Sequence, residues 1–473
     1  MSFRSWRFVA GVAFAAAFCV VLSAQQRGRA AKRGPQSEVF HTSVPDHPFD
    51  VILTRPTNRS VTASILAYSN TDGYVEFGVS RGTYPSKTAT FSLQKGVHRE
   101  VLLEPLQPDT RYFYRLRHRA AGASDFAASA EWTFHTQRVP GAPFTFAVQA
   151  DSHLDENASP DAYRITLANI LAGKPDFLID LGDTFMTDKR RNDFRQAFPQ
   201  YLAQRYYFGL VCHSAPLFLV LGNHDGEGGS RAEMAEWSIG LRRRYFPSPR
   251  PDAFYTGNRE PLENYYAWDW GNALFIVLDP YWPTTGRVRD DNWNWTLGSA
   301  QYRWLAQTLA GSKSPLKFVF IHHPVGGKEQ PIRGGVEAAK YNEWGGRNLD
   351  GSDGFKSHRP GWEMPIHQLL VKHKVAVVFH GHDHMFAKEE LDGVIYQLVP
   401  QPGHTRTSNP RNAREYGYVH GEVLGGSGYV RVNVAPNEAI IEYVLSVLPE
   451  ERIVSRKNGA VASSYQVRSG ATR

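Results

Sequence analysis

Five apolar, strand-like runs each end in residue types that bind metal ions. Asp151-Ser152-His153 follows FAVQA, Gly182-Asp183 follows FLIDL, and Gly222-Asn223-His224-Asp225 follows LFLVL. His322-His323-Pro324 follows KFVFI, and Gly381-His382-Asp383-His384 follows VAVVFH. Taken singly, most of these are ordinary turns, because Gly, Asn and Asp are the usual turn residues. Gly-His-x-His is less ordinary: alternate residues of an extended chain share a face, so both imidazoles point the same way. The ordered recurrence at strand ends is not explained by turns alone. Carboxylates, imidazoles and one amide, without thiolates, suit Fe, Mn or Zn. Asp151, His153, Asp183, Asn223, His322, His382 and His384 offer enough donors for two ions if one carboxylate bridges them. Two ions roughly 3.5–4 Å apart form a clamp for phosphoryl displacement and lower the pKa of bound water.

Such a cluster needs strands that deliver it to one edge. In α/β sheets, ligands gather at the carboxyl ends of strands. The five runs are rich in Val, Ile, Leu and Phe, so they are expected to be buried on both faces, under helices. Helices are expected over 159–171, with Ser159 as N-cap and Pro160 at the first helical position, and over 299–309 and 362–373. After His384, VIYQLV, GYVRVNV and AIIEYVLSV return to hairpin texture. Residues 144–449 therefore predict an α/β domain, with mixed sheets in a helix-covered β-sandwich.

Residues 49–138 differ. Short alternating strands with turn punctuation, and no helical period, predict an all-β sandwich. Within it, LQPDTRYFYRLR resembles the fibronectin type III pattern, with Leu106, Pro108, Thr110, Tyr112 and Tyr114 at the tyrosine corner. VPGAP (139–143) marks the boundary between the two regions. Residues 25–48 read as a polar linker, and 450–473 as a polar, irregular tail.

The chain has 473 residues, 42% of them hydrophobic, and a net charge of +7. This is ordinary soluble composition with length for a large core. The excess charge lies partly at the ends, and no basic run with interleaved aromatics indicates a nucleic-acid-binding module. Arg4 and Arg7, an uncharged apolar run from Phe8 to Ala24 and a small-residue site at Ser23-Ala24 form a signal-peptide pattern over 1–24. It predicts an exported protein, periplasmic or secreted, with no membrane span after signal removal; an uncleaved membrane anchor is the alternative, for which the run is slightly short of the roughly 20 residues a span needs. Cys19 leaves with the signal, so Cys212 stands alone and any ion must be held by N and O donors.

The order Asp-x-His, Gly-Asp, Gly-Asn-His-Asp, His-x-Pro, Gly-His-x-His resembles that of the calcineurin-like metallophosphoesterases. With the preceding fibronectin-like region, the architecture is similar to that of the purple acid phosphatases over about residues 50–445. The resemblance implies that Asp151, His153 and His384 hold one ion, Asn223, His322 and His382 the other, and that Asp183 bridges them. It selects His322 over His323, and gives His224 to the phosphate as catalytic acid or transition-state stabiliser. At one position the sequence departs: the tyrosine that purple members carry three residues after the bridging Asp is Met186 here. That removes the expected tyrosinate, and also the carboxylate that protein-phosphatase relatives place there beside the histidine. Asp225 receives no role.

The activity implied is hydrolysis of small phosphate monoesters by attack of a metal-bridging hydroxide. The same motif serves phosphodiesterases, which are the alternative on this site. A non-catalytic surface-binding protein with a degenerate site is a second alternative; it calls for a lost ligand, and none is lost. Three further features are open. The aromatic stretch 279–295, with Trp282, Trp293 and Trp295, could wall a pocket or bury itself. The 403–422 insertion, with His404, Arg406 and Tyr416, reads as a solvated loop or a lid. His380 reads as a strand residue near the site.

Overall fold

The computed structural model describes residues 39–190, 193–288, 290–324, 333–404, 410–451 and 456–469. The signal pattern of 1–24 and most of the linker lie outside these residues. From Phe40 onward the chain forms one compact unit.

Its first part is a two-sheet sandwich. Phe49–Thr54, Val61–Ala67 and His98–Leu103 form one antiparallel sheet. Thr71–Gly78 and Arg111–Ala120 pair in the other, flanked by shorter strands. Alternate residues of Thr71–Gly78 are buried, as a one-sided strand requires. The shared core includes Leu53, Ile65, Val75, Phe77, Tyr112 and Leu116. Tyr112 closes the corner: its hydroxyl accepts the Gln107 N–H at 2.8 Å. Val61–Ala67 is buried throughout because its second face, with Leu66, packs on Tyr207, Phe208 and Val211 of helix Phe198–Cys212. The fully buried Arg205 of that helix fastens the two parts, donating to the Ser64 hydroxyl (3.0 Å), Ser64 O (3.0 Å), Asp50 O (3.3 Å) and Tyr245 O (2.5 Å).

The larger part is two mixed sheets face to face. Leu217–Leu219, Phe177–Asp180 and Phe144–Gln149 run parallel, continued by antiparallel Ser427–Ala435, Glu438–Ser446 and Val461–Arg468. In the second sheet, Ala273–Val277, Leu316–Phe320, Val377–His380 and Val394–Leu398 run parallel. Phe146, Phe177, Phe275, Phe318, Phe320 and Phe379 meet in the core. Helices cover both outer faces, so these strands are apolar on both sides. Leu167 and Ile170 of Pro160–Ala172 pack with Ala147, Leu178 and Leu217. Leu305 and Leu309 of Gly298–Gly311, and Leu369 and Leu370 of Ile366–Lys372, pack with Ile276, Val319 and Val378. Pro160–Ala172 starts as expected, with the Ser159 hydroxyl accepting the Ala162 N–H at 3.2 Å.

Three expectations change. The helix expected over 362–373 is Ile366–Lys372: Pro365 keeps the preceding residue out of helical geometry, so the helix begins after it. The polar tail contributes an edge strand, Val461–Arg468, on Glu438–Ser446. An edge strand can be polar on its outer side, with Val467 sufficing as its buried anchor, so composition hid it. Residues 40–48 of the linker run against the fold, where the His41 N–H donates to Leu154 O at 2.7 Å. Among the described residues no helix is long and apolar enough to cross a membrane.

Candidate metal centre

The five strand tips converge at the carboxyl ends of both sheets. The ligand atoms of Asp151, His153 and His384 lie within 4.8 Å of one another, as do those of Asp183, His322 and His382. His322 Nε2 lies 3.2 Å from Asp183 Oδ2, and His153 Nε2 lies 3.8 Å from the same oxygen. His153 Nε2 and His384 Nε2 lie 3.7 and 3.5 Å from Asp151 Oδ1. Asn223 Oδ1 lies 2.8 Å from His382 Nδ1.

The tips leave the strands abruptly. Asp151, His153, Asp183, His382 and His384 all have positive φ, between 44° and 79°, a region non-glycine residues rarely occupy. Strain concentrated at these turns is the backbone signature of a functional site. Two glycines make the approach possible: a Cβ on Gly222 would lie 2.1 Å from Asp183 N, and one on Gly381 would lie 2.8 Å from Asp151 Oδ2.

Neighbours fix the ring orientations. His322 Nδ1 lies 2.9 Å from Leu181 O and His153 Nδ1 lies 3.1 Å from Asp155 Oδ2. Each partner only accepts, so Nδ1 carries the proton and Nε2 faces the cluster. Both Nε2 atoms are buried and without a hydrogen-bond partner. That is the arrangement a metal ion satisfies, so the residues fit the ions that the sequence implies. Charge agrees. Burial opposes a proton on His322, but Asp183 and Asp151 outweigh it and hold its pKa up, to about 9. Burial would raise Asp183, yet His322 and His224 pull it well below the usual carboxylate range. The cluster calls for positive charge, and protons and cations compete for it.

His224 stands apart from both triads. Its Nε2 is 3.9 Å from Asp183 Oδ2, its N–H donates to Asp183 Oδ1 at 2.8 Å, and its Nδ1 lies 2.8 Å from Asp188 Oδ1. Asp225 is fully buried. Its carboxylate accepts the N–H groups of Gly222 (2.7 Å), Asp183 (3.1 Å), Thr184 (2.8 Å) and Phe185 (2.8 Å), locking together the two tips that carry Asp183 and Asn223. Met186 is buried.

Sequence reading did not pick out Asp155, Asp188 or the partners of Asp383. Asp155 and Asp188 stand two residues beyond His153 and five beyond Asp183, where spacing to an imidazole was the available signal. Asp383, between His382 and His384, lies 2.6 Å from Arg333 Nε and accepts the Tyr418 hydroxyl at 2.7 Å. Tyr418 places part of the 403–422 insertion in the interior, with Ala413 against Met385, Ala387 and Leu398. His404 donates its N–H to Ser427, and Arg406 lies outside the described residues. In the aromatic stretch, Trp293 is buried and stacks on His358, Trp295 meets His323 edge-on, and Trp282 is half-buried. His323 in turn stacks on His382 at 4.1 Å. His380 is a fully buried strand residue.

Two sheets under helices, with two acid–imidazole triads at their carboxyl ends, define a metallophosphoesterase fold. Residues 144–386 match the calcineurin-like phosphoesterase family, and the chain belongs to it. Purple acid phosphatase 23 of Arabidopsis thaliana is 22% identical over 333 residues, covering 64% of this chain and 60% of that protein. Fe(3+)-Zn(2+) purple acid phosphatase 12 of the same plant is 22% identical over 316 residues, covering 65% of this chain and 56% of its own. The chain thus spans under two thirds of the length of these relatives. Among solved structures, PhoD superposes with a TM-score of 0.62 at 15% identity, over 90% of this chain and 92% of that one. Purple acid phosphatase PPD1 from yellow lupin (Lupinus luteus) seeds gives 0.59 at 18%, over 88% and 74%. These likenesses are of fold.

Proposed function

We propose that the protein is a dinuclear metal-dependent phosphoesterase that hydrolyses small phosphate monoesters. Its catalytic domain spans 144–449, behind a fibronectin type III-like sandwich over 49–138, and the pattern of 1–24 supports export. The observation that carries the reading is the convergence of two triads on Asp183, whose Oδ2 faces imidazoles from both: His322 at 3.2 Å and His153 at 3.8 Å. Asp151, His153 and His384 would hold one ion, Asn223, His322 and His382 the other, and Asp183 would serve both. The donor set suits Fe, Mn or Zn. Bound there, the ions supply Lewis acidity and a water of lowered pKa.

The chain's own residues do the rest. Asp188 orients the imidazole of His224, which is partly exposed and reachable by substrate. His224 Nε2 then holds or gives a proton at the leaving oxygen. Asp225 keeps the Asp183 and Asn223 turns in register.

Reconstitution with Mn, Fe and Zn separately, followed by metal analysis and assays on p-nitrophenyl phosphate and bis(p-nitrophenyl) phosphate, tests this. About two ions per chain and faster monoester turnover are expected. Faster diester turnover reverses the substrate choice. Fewer than about one ion per chain, with no turnover, removes the reading. Asp183→Ala loses ions and activity together, whereas His224→Ala keeps its ions and loses roughly 10²–10⁴-fold in turnover.

A further inference from the structure

The loop after strand Ala273–Val277 leaves the sheet beside the strand that carries His322, since the two strands are parallel neighbours. Its start is held firmly. The Asp279 carboxylate accepts the N–H groups of Tyr281 at 2.7 Å and Trp282 at 3.4 Å, and the Nδ2 of Asn264 at 2.5 Å. Tyr281 O accepts the N–H of Thr284 and, from the glycine-rich stretch that follows His224-Asp225, that of Gly229, both at 3.2 Å. The backbone of Tyr281 is thereby pinned between two loops that border the site, and its ring lies 6.1 Å from that of His322.

The Tyr281 hydroxyl is buried and has no hydrogen-bond partner. Asp183, Asp279, Asp225 and Asp151 are the carboxylates whose charges bear on it, yet it bonds to none of them. A buried hydroxyl left unpaired is costly, and such groups in native proteins call for an explanation. Two of those carboxylates, Asp151 and Asp183, belong to the proposed ion site. The hydroxyl is thus close enough to feel that site and too far to bond to it, with a donor to spare.

We propose that Tyr281 is a substrate-binding residue whose hydroxyl donates a hydrogen bond to a phosphoryl oxygen of the phosphate ester. This rests on the phosphoesterase reading above. The chemistry requires a donor that is neutral, pre-positioned and desolvated, directed at charge that grows in the transition state. Tyr281 is desolvated and unpaired, its ring lies beside His322, and the turn built on Asp279 fixes its position before any substrate arrives.

The test is Tyr281→Phe in the full chain reconstituted with Mn. Phe removes one oxygen that has no partner in the fold, so the melting temperature should hold or rise and the metal content should match wild type. The dissociation constant for inorganic phosphate, by calorimetry, should rise roughly 10–100-fold, the worth of a hydrogen bond to a charged group. kcat/KM for p-nitrophenyl phosphate should fall by a similar factor. Wild-type values for both in the variant overturn the inference, and so does a loss of bound metal, which would make Tyr281 a metal ligand. If wild type neither binds phosphate nor turns over either ester, the phosphoesterase reading fails. If wild type does both and the variant equals it, only the role of Tyr281 fails.

Discussion

His224 and Asp188 form a dyad at the edge of the metal centre: Nδ1 lies 2.8 Å from Oδ1, while Nε2 stays directed toward Asp183 Oδ2 at 3.9 Å. A carboxylate only accepts, so Nδ1 carries a proton toward Asp188, and Nε2, which carries the second proton when His224 acts as the acid, is presented to substrate. Met186 occupies the position where protein-phosphatase relatives are expected to carry this carboxylate. The turn Thr187–Lys189 supplies it two residues later.

Asp188→Asn tests the dyad. An amide carries no charge and can turn its N–H toward Nδ1, so it steadies the imidazolium that donates from Nε2 less well. kcat should fall roughly 10–100-fold, the usual cost of losing a partner that orients an imidazole. Metal content should stay at the wild-type level, because Asp188 touches neither triad. Steady-state kinetics with metal analysis on the same preparation checks both; unchanged kcat would break the dyad's assigned role.

Asp225→Ala addresses the adjacent turn. The substitution leaves four buried N–H groups, those of Gly222, Asp183, Thr184 and Phe185, without their acceptor. At about 1–3 kcal/mol for each unsatisfied group, partly relieved by water, the loss should be on the order of 3 kcal/mol and should release metal. Asp225→Asn keeps one acceptor oxygen and should lose less. Urea denaturation before and after metal loading measures both effects.

Asp225 also shows where sequence reading stops. Its neighbours Asn223 and His224 were legible because their types match a chemistry and their order matches a family. Asp225 acts by accepting N–H groups from a turn some forty residues earlier, and only the folded chain reveals that pairing. The same holds for Asp383, whose partners Arg333 and Tyr418 come from remote loops. The buried strands were legible from apolar runs, and Pro160–Ala172 from its cap. Phe198–Cys212 and Ala232–Tyr245 were not, since neither has a side-chain cap hydrogen bond to mark its start. Val461–Arg468 escaped because a polar edge strand looks like a tail.

Asp383 leads to a prediction about ion affinity. It lies between His382 and His384, one in each triad, and both of these have positive φ. Arg333 and Tyr418 hold its two oxygens, and Arg333 O also accepts from His323 Nε2. Loosening that grip should let both imidazoles drift. Tyr418→Phe and Arg333→Ala should each weaken Mn binding about 10–100-fold, with Arg333→Lys recovering part of it through its charge. Calorimetric titration with Mn reads this directly. Wild-type affinity in Tyr418→Phe and Arg333→Ala would make the grip irrelevant to the ions.

Glu343 gives the fold a pH dependence remote from the ions. It is fully buried; Oε1 accepts the Leu297 N–H at 2.6 Å and Oε2 pairs with Arg359 at 2.9 Å. Burial raises its pKa more than Arg359 lowers it, and the carboxyl is pushed up to about 7. The folded chain therefore binds this proton more tightly than the unfolded chain, where a glutamate titrates near 4.3. Stability contributed by Glu343 is complete below about pH 4.3 and declines as pH rises to about 7. Above that both states are ionised and the loss levels off, at roughly 4 kcal/mol for a shift of this size. Glu343→Gln cannot ionise. It deprives Arg359 of a charged partner only above about pH 7, where the wild-type carboxyl is ionised, and it removes this group's share of the slope. Urea midpoints at pH 5 and pH 7.5 should therefore fall further for wild type than for Glu343→Gln, and equal falls would show that the Glu343 proton is bound no more tightly in the fold than out of it.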